Sequence, residues 1–347
     1  MTCQLTNFSY NKHVIKSYIV KKVFITTIII FSSITLLYAW GAWGHKHISR
    51  GAVFALPPEM RTFYYNHIDF ITEGSVVPDL RRGVLNDRAE PPRHYINIED
   101  FGNISIDDLP KTWKEATLIY DSGFLQKTGF LPWYVQTLMD KLTSAFKRKS
   151  RSEIIFISAE LSHYIADAHV PLHTSSNHDG QLTNQKGIHS FWESQLPELF
   201  GNDYNFYTGE AIYITDISAE IFRIIKHSHE LAEITLGVER ILNNSTSKDK
   251  IFESKSPDDS SRRQPRRLAE YAKKYHDALN GMVEKQMRFA LSALAGFWYT
   301  AWVNAGKPDL TSLDDEHLTN QNGKNFKREM TAWKKGKINN LDVSRDD

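Results

Sequence analysis

Between Leu161 and Glu193 the chain reads LSHYIADAHVPLHTSSNHDGQLTNQKGIHSFWE. His163 and Asp167 stand four apart, as do His189 and Glu193, and that step places two side chains on one face of a helix, one turn apart. A single imidazole–carboxylate pair at this spacing is more often a surface contact than half of a metal site. Here two pairs are joined by His173, which follows Pro171. That proline must end the first helix and frees the chain to turn His173 back toward the same pocket. Five such residues in one stretch point to a metal platform. Nitrogen and carboxylate ligands suit zinc. Sulfur plays no part, because the single cysteine, Cys3, lies at the extreme N-terminus and leaves the rest without disulfide or thiolate ligand.

Two further candidates lie upstream in SVVPDLRRGVLNDRAEPPRHYINIED: Asp79, directly after Pro78, and His94. Taken alone, Asp79 reads equally well as an acid in the first turn of a helix, and His94 as a satisfied core histidine. Earlier still, LLYAWGAWGHKH (Leu36 to His47) sets Trp40 and His45 directly behind an apolar run. That run, Val23 to Leu37, follows Lys12, Lys16, Lys21 and Lys22, and no charge appears between Lys22 and His45. A basic stretch, an apolar stretch and a small residue, Ala39, make the layout of a signal peptide cut before Trp40. An uncleaved membrane anchor is the alternative, since the uncharged stretch is just long enough to span. Cleavage would reduce the 42 basic side chains to 38 against 41 acidic ones. Charge alone therefore gives no grip on a phosphate polymer.

The elements that must position these residues are helices; alternating strand patterns are scarce. Ile154, Ile155, Ile157 and Leu161 lead into His163 at helical spacing. A second helix is predicted from about Ile212 to Leu242, with Ile214, Ile217, Ile221, Ile224, Ile225 and Leu231 on one face. A third is predicted from about Arg267 to Ala305, carrying Leu279, Met282, Val283, Leu291, Leu294, Trp298 and Trp302 and stopped by Gly306 and Pro308. Ser245 to Arg263 is polar enough to be a mobile loop, and residues 307–347 a polar tail that frays into solvent. No internal repeat, phosphate-binding glycine loop, dinucleotide fingerprint or nucleophile elbow is present.

Taken in order, Trp40, His45, Asp79, His94, His163, Asp167, His173, His189 and Glu193 resemble the pattern of the zinc-dependent phospholipase C and S-one/P-one type single-strand nuclease superfamily. The resemblance spans Trp40 to about Glu193, and the helical remainder up to Gly306 is compatible with it. It implies an all-α fold, residues 40–306 as a phosphodiesterase domain behind a signal peptide of residues 1–39, and three zinc ions. The free amine and carbonyl of Trp40, created by the signal-peptidase cut, would hold one ion with His45 and Asp167. Asp79, His94 and His163 would hold its close neighbour, with Asp167 shared, and His173, His189 and Glu193 the third. Metal-activated hydroxide would attack phosphorus, with Asp79 as the catalytic residue that orients or deprotonates the water. Glu160, one turn before His163, is expected to support the ligands, while His47, His67, His169 and His178 are left without a role.

The resemblance also bounds the partners. The substrate is a phospholipid or a single-stranded nucleic acid, met after export to the exterior or periplasm and with transient contact to a membrane surface. Glu193 as the last ligand, and the short span from His173 to His189, favour phospholipase C. Trp43, Tyr95 or Trp192 as a base-stacking surface would favour a nuclease or 3'-nucleotidase. A non-catalytic, membrane-anchored zinc protein is the reading from a different class.

Overall fold

The computed structural model describes residues 41–254, 265–314, 320–339 and 341. Of the two units into which the chain divides, the one formed by Leu37–Glu253 and Arg266–Asp347 holds everything below, and the leader lies outside the described residues. The fold is all-α, as expected: among the described residues there is no strand, and the one β contact is an isolated antiparallel bridge between Phe252 and Arg267.

Four helices come first: α1 (Gly41–Ala55), α2 (Pro58–Asn66), α3 (Ile68–Gly74) and α4 (Val77–Gly83). After short turns follow α5 (Trp113–Ile119), α6 (Ser122–Thr128), α7 (Leu131–Lys147) and α8 (Arg151–Ala168). Helix α8 packs against α1, α3 and α7 and against a late helix, α13, introduced below. Every residue from Ser158 to Ala168 is buried. A helix enclosed on all sides should be apolar all round, yet this one carries Glu160, His163 and Asp167 inside. Buried polar groups persist only where partners compensate them, and those partners arrive from the elements around α8.

A 3-10 turn, Pro171–Thr174, ends that region where Pro171 breaks the helix. The chain then forms α9 (Ile188–Ser190), a π-helical turn (Phe191–Gln195) and α10 (Leu196–Phe200) in one run. The long helices α11 (Ile217–Asn244), α12 (Ala269–Ala278) and α13 (Met282–Asn304) close the core, and α14 (Asn320–Lys334) follows.

Four expectations are corrected. Helix α11 starts at Ile217, not Ile212, because the Asp216 side chain caps it by accepting from the Ala219 amide at 2.9 Å. The helix expected over Arg267–Ala305 is two, α12 and α13, parted at Asn280 and Gly281, whose φ angles are 51° and 74°; asparagine and glycine are the residues that tolerate this left-handed backbone. The expected loop is exposed over Ser247 to Lys250 but held after them: Ile251 is 1% exposed, and backbone bonds of 2.9 Å join Glu253 to Arg266 and Leu268 to Ile251. Residues 255–264 lie outside the description. Lastly, the tail docks. Phe326, Met330 and Trp333 form an apolar stripe on α14 that packs on the core. Glu329 accepts from Arg50 of α1 at 3.1 Å and from the Tyr65 hydroxyl at 2.6 Å.

Candidate metal centre

His163 and Asp167, in the enclosed half of α8, are the hub. Helix α1 brings His45 to them, the first turn of α4 brings Asp79, and the turn Pro91–Arg93 delivers His94. The turn after α8 supplies His173, α9 supplies His189 and the π-helical turn supplies Glu193. Three sets form: His45, His163 and Asp167; Asp79, His94 and His163; His173, His189 and Glu193. Within each, one candidate ligand atom per residue lies within 4.8 Å of the others. All eight described positions singled out in the sequence are thus brought together. Trp40, the ninth, lies outside the described residues.

The first two sets share His163, and Asp167 of the first reaches into the second. Its Oδ1 lies 3.5 Å from His45 Nε2, and its Oδ2 lies 2.9 Å from His94 Nδ1 and 3.2 Å from His163 Nε2. Asp79 Oδ1 lies 3.8 Å from His94 Nδ1 and 4.0 Å from His163 Nε2, and Arg82 of the same helix holds it at 3.0 Å. In the third set His189 Nε2 stands 3.0 Å and His173 Nε2 3.4 Å from Glu193 Oε2. The far nitrogens of three rings are tied to backbone carbonyls: His163 Nδ1 to Ser75 at 2.8 Å, His173 Nδ1 to His94 at 2.6 Å, His189 Nδ1 to His178 at 3.0 Å. With the proton on Nδ1, each Nε2 turns a lone pair inward.

Burial pushes the His45 imidazole well below its ordinary range, and the facing His163 adds to this, so it is a neutral donor of a lone pair. Burial would raise the Asp167 carboxyl, but His163 and His173 outweigh it and hold Asp167 well below the usual carboxylate range. Glu193, likewise buried, is held down to about 2 by His189 and His173. Burial would lower His189, yet the Glu193 carboxylate lifts it to about 9. The buried carboxylates of Asp167 and Glu193 therefore favour positive charge beside them. Both ring nitrogens of His45 and Oδ1 of Asp167 are buried without a hydrogen-bond partner. Orphaned donor atoms of that kind, among nitrogen and carboxylate ligands with no sulfur, fit zinc.

Behind His94 lies a group the sequence reading missed. Glu90, fully buried, accepts from Arg81 Nε at 3.0 Å, from Arg93 Nη1 at 2.8 Å and from the Tyr164 hydroxyl. Burial would raise its carboxyl, but the adjacent His94 imidazole, the Tyr164 hydrogen bond and the Arg81 charge keep it at about 2. Its position four before His94 was the available signal. Glu160 reaches the site only indirectly, through an ion pair with Arg81.

Of the unassigned histidines, His178 borders the third set, its ring edge-on to His189 at 6.2 Å, and the others stay apart. His47 stacks on Trp43 at 3.6 Å, His169 Nδ1 bonds the Ile165 carbonyl at 2.7 Å, His67 lies edge-on to Phe63 and His178 is exposed. As a stacking surface for a base, Trp192 is corrected: it is wholly buried. The Trp43 ring is packed so closely that a Cβ on Gly201 would meet it at 2.0 Å. Tyr95, partly open like Trp43, is packed in the same way: a Cβ on Gly129 would meet its ring at 2.6 Å, and its hydroxyl lies 3.3 Å from the Lys127 carbonyl.

Set beside known proteins, the chain finds no match among curated sequences. It does match a family model, described as zinc dependent phospholipase C, over residues 44–280. That match runs from the start of α1 through α12 and takes in every described member of the three sets. The protein therefore belongs to the zinc-dependent phospholipase C family.

Proposed function

We propose that the protein is an exported trizinc phosphodiesterase acting as a phospholipase C. The observation that carries this reading is the gathering of His45, Asp79, His94, His163, Asp167, His173, His189 and Glu193 into three sets of metal-ligand size. His45 and Asp167 would hold one zinc with the mature N-terminus, Asp79, His94 and His163 a second that shares Asp167, and His173, His189 and Glu193 a third. Gly41 supports the terminal ligand: a Cβ there would sit 3.0 Å from Ser194, the neighbour of Glu193, so a chain cut before Trp40 would begin one residue from a position beside the site. Docked α14 extends the catalytic domain beyond residue 306.

Zinc bound here supplies Lewis acidity, lowering the pKa of water and drawing charge from phosphoryl oxygens. The chain does the rest. Asp79, steadied by Arg82, orients the attacking water and takes its proton; Asp167 ties the first two sets into one rigid unit. His189 is the most open of the ligands at 20% side-chain exposure, against 3% for Glu193, so the third set meets substrate first. Phospholipid is favoured by the family match, by the acid at Glu193 and by the burial of Trp192.

Purified mature protein, assayed in parallel on phosphatidylcholine vesicles and on single-stranded DNA, tests this. Release of diacylglycerol, lost on chelation and regained with zinc, is expected. Cleavage of DNA with lipid left intact would replace the reading with the nuclease one. Inertness toward both with zinc bound would favour a non-catalytic role. Sequencing of the exported chain should give Trp40 first; any other start removes the amine ligand.

A further inference from the structure

His94 is turned the opposite way from the other ring ligands tied to backbone carbonyls. In His163, His173 and His189, Nε2 faces the centre and Nδ1 meets a backbone carbonyl. In His94, Nδ1 faces inward, 2.9 Å from both His163 Nε2 and Asp167 Oδ2. Its buried Nε2 makes no hydrogen bond of ordinary geometry and stands 3.4 Å from Glu90 Oε1. A backbone carbonyl is fixed by its own chain, whereas a carboxylate has to be held, and Glu90 is held from three sides. Arg81 comes from α4, Arg93 from the intervening turn and Tyr164 from α8. Arg81 also bonds the Tyr164 hydroxyl at 3.2 Å and pairs with Glu160, so the cluster braces itself.

We propose that Glu90 is a positioning residue: it keeps the His94 proton on Nε2, presents Nδ1 to the metal shared with Asp79 and His163, and makes that ring a stronger donor. The physical basis is general. A ligating imidazole whose second nitrogen donates to a carboxylate is fixed in tautomer and orientation and gains basicity, and loss of such a partner costs metal affinity. Glu90 touches no substrate and acts through His94 alone. The inference rests on the zinc reading of the site.

The test is zinc affinity, measured ion by ion through competition with a chelator, in the full mature chain. Glu90→Gln keeps the shape and removes the charge, and it should weaken one ion by about 10- to 100-fold. The ion held by His173, His189 and Glu193 should change less than about twofold, within the standing scatter of such measurements. Glu90→Asp should recover part of the loss. Glu160→Gln, which loosens Arg81 without touching His94, should weaken the same ion by less than Glu90→Gln does. Equal weakening of every ion by Glu90→Gln would mark a merely structural role and overturn the proposal, and so would no weakening at all. Should the variants not fold, nitrogen NMR of histidine-labelled, zinc-loaded wild type decides: His94 metallated at Nδ1 with a proton on Nε2 is expected, and the opposite tautomer overturns it. Wild type that binds no zinc would instead sink the metal reading itself.

Discussion

Two regions of the centre are built on different principles. The inner one, His45, Asp79, His94, His163 and Asp167, draws on α1, α4, α8 and the turn before His94, and every member is 1% exposed or less. The outer one, His173, His189 and Glu193, is spun from a single stretch of chain just after α8, and its rings are oriented by backbone carbonyls. The inner set is long-range and rigid, fixed by packing; the outer set is local, with one ring partly open to solvent. A centre meant to hold two cations at one shared carboxylate needs the first kind of construction, while one that must admit and release a substrate oxygen tolerates the second.

The largest effect should come from the hub. His163→Ala removes a ligand from both inner sets and leaves Asp167 buried beside fewer partners, so phosphodiesterase activity and inner zinc should fall together. The loss should exceed the roughly 100-fold typical of an orienting partner. Zinc content by elemental measurement, read beside turnover, checks it, and full activity in this variant would break the assignment. Glu193→Gln should do less, because it takes a charged ligand from the outer set alone: the outer ion weakens while the inner pair stays loaded. Chelator titration should then show one weak and two strong sites; uniform weakening would erase the distinction between the regions.

The smallest effect is one of pH and belongs to the outer region. In the zinc-stripped protein His189 is raised from 6.5 to about 9 and Glu193 lowered from 4.5 to about 2, two views of one ion pair. A raised imidazole contributes stability that is fully present below pH 6.5 and lost as pH climbs through about 9. The lowered carboxyl contributes above 4.5 and loses that contribution as pH falls through about 2. Zinc binding needs the neutral ring and so strengthens over the interval in which the ion pair fades. The increment in Tm on adding zinc should therefore widen from pH 6.5 to 9. Stripping the ions from Glu193→Gln should flatten the metal-free slope in that interval.

The two regions also differed in how legible they were. The outer one could be read almost whole, because His189 and Glu193 are one helical turn apart and Pro171 marks where His173 can turn. Of the inner one, His163 and Asp167 were legible for the same reason. Asp79 and His94 carried no local mark and stood out only through the family pattern. Glu90 was missed because a buried acid supporting a histidine looks, in sequence, like one more charge in NDRAEPPRH. The helix break at Asn280–Gly281 was locally written in an Asn-Gly pair and overlooked under a strong apolar period. The docking of α14 depends on Glu329 meeting Arg50 across 279 positions, which no local spacing encodes.

That last contact bears on biogenesis. The helix that presents His45 is pinned by a side chain from almost the opposite end of the polypeptide, beyond the region the family model matches. A chain emerging from the ribosome carries the candidate ligand His45 long before the latch for that helix exists. A product clipped before α14 would keep every described candidate ligand yet lose the contact that pins the helix of His45.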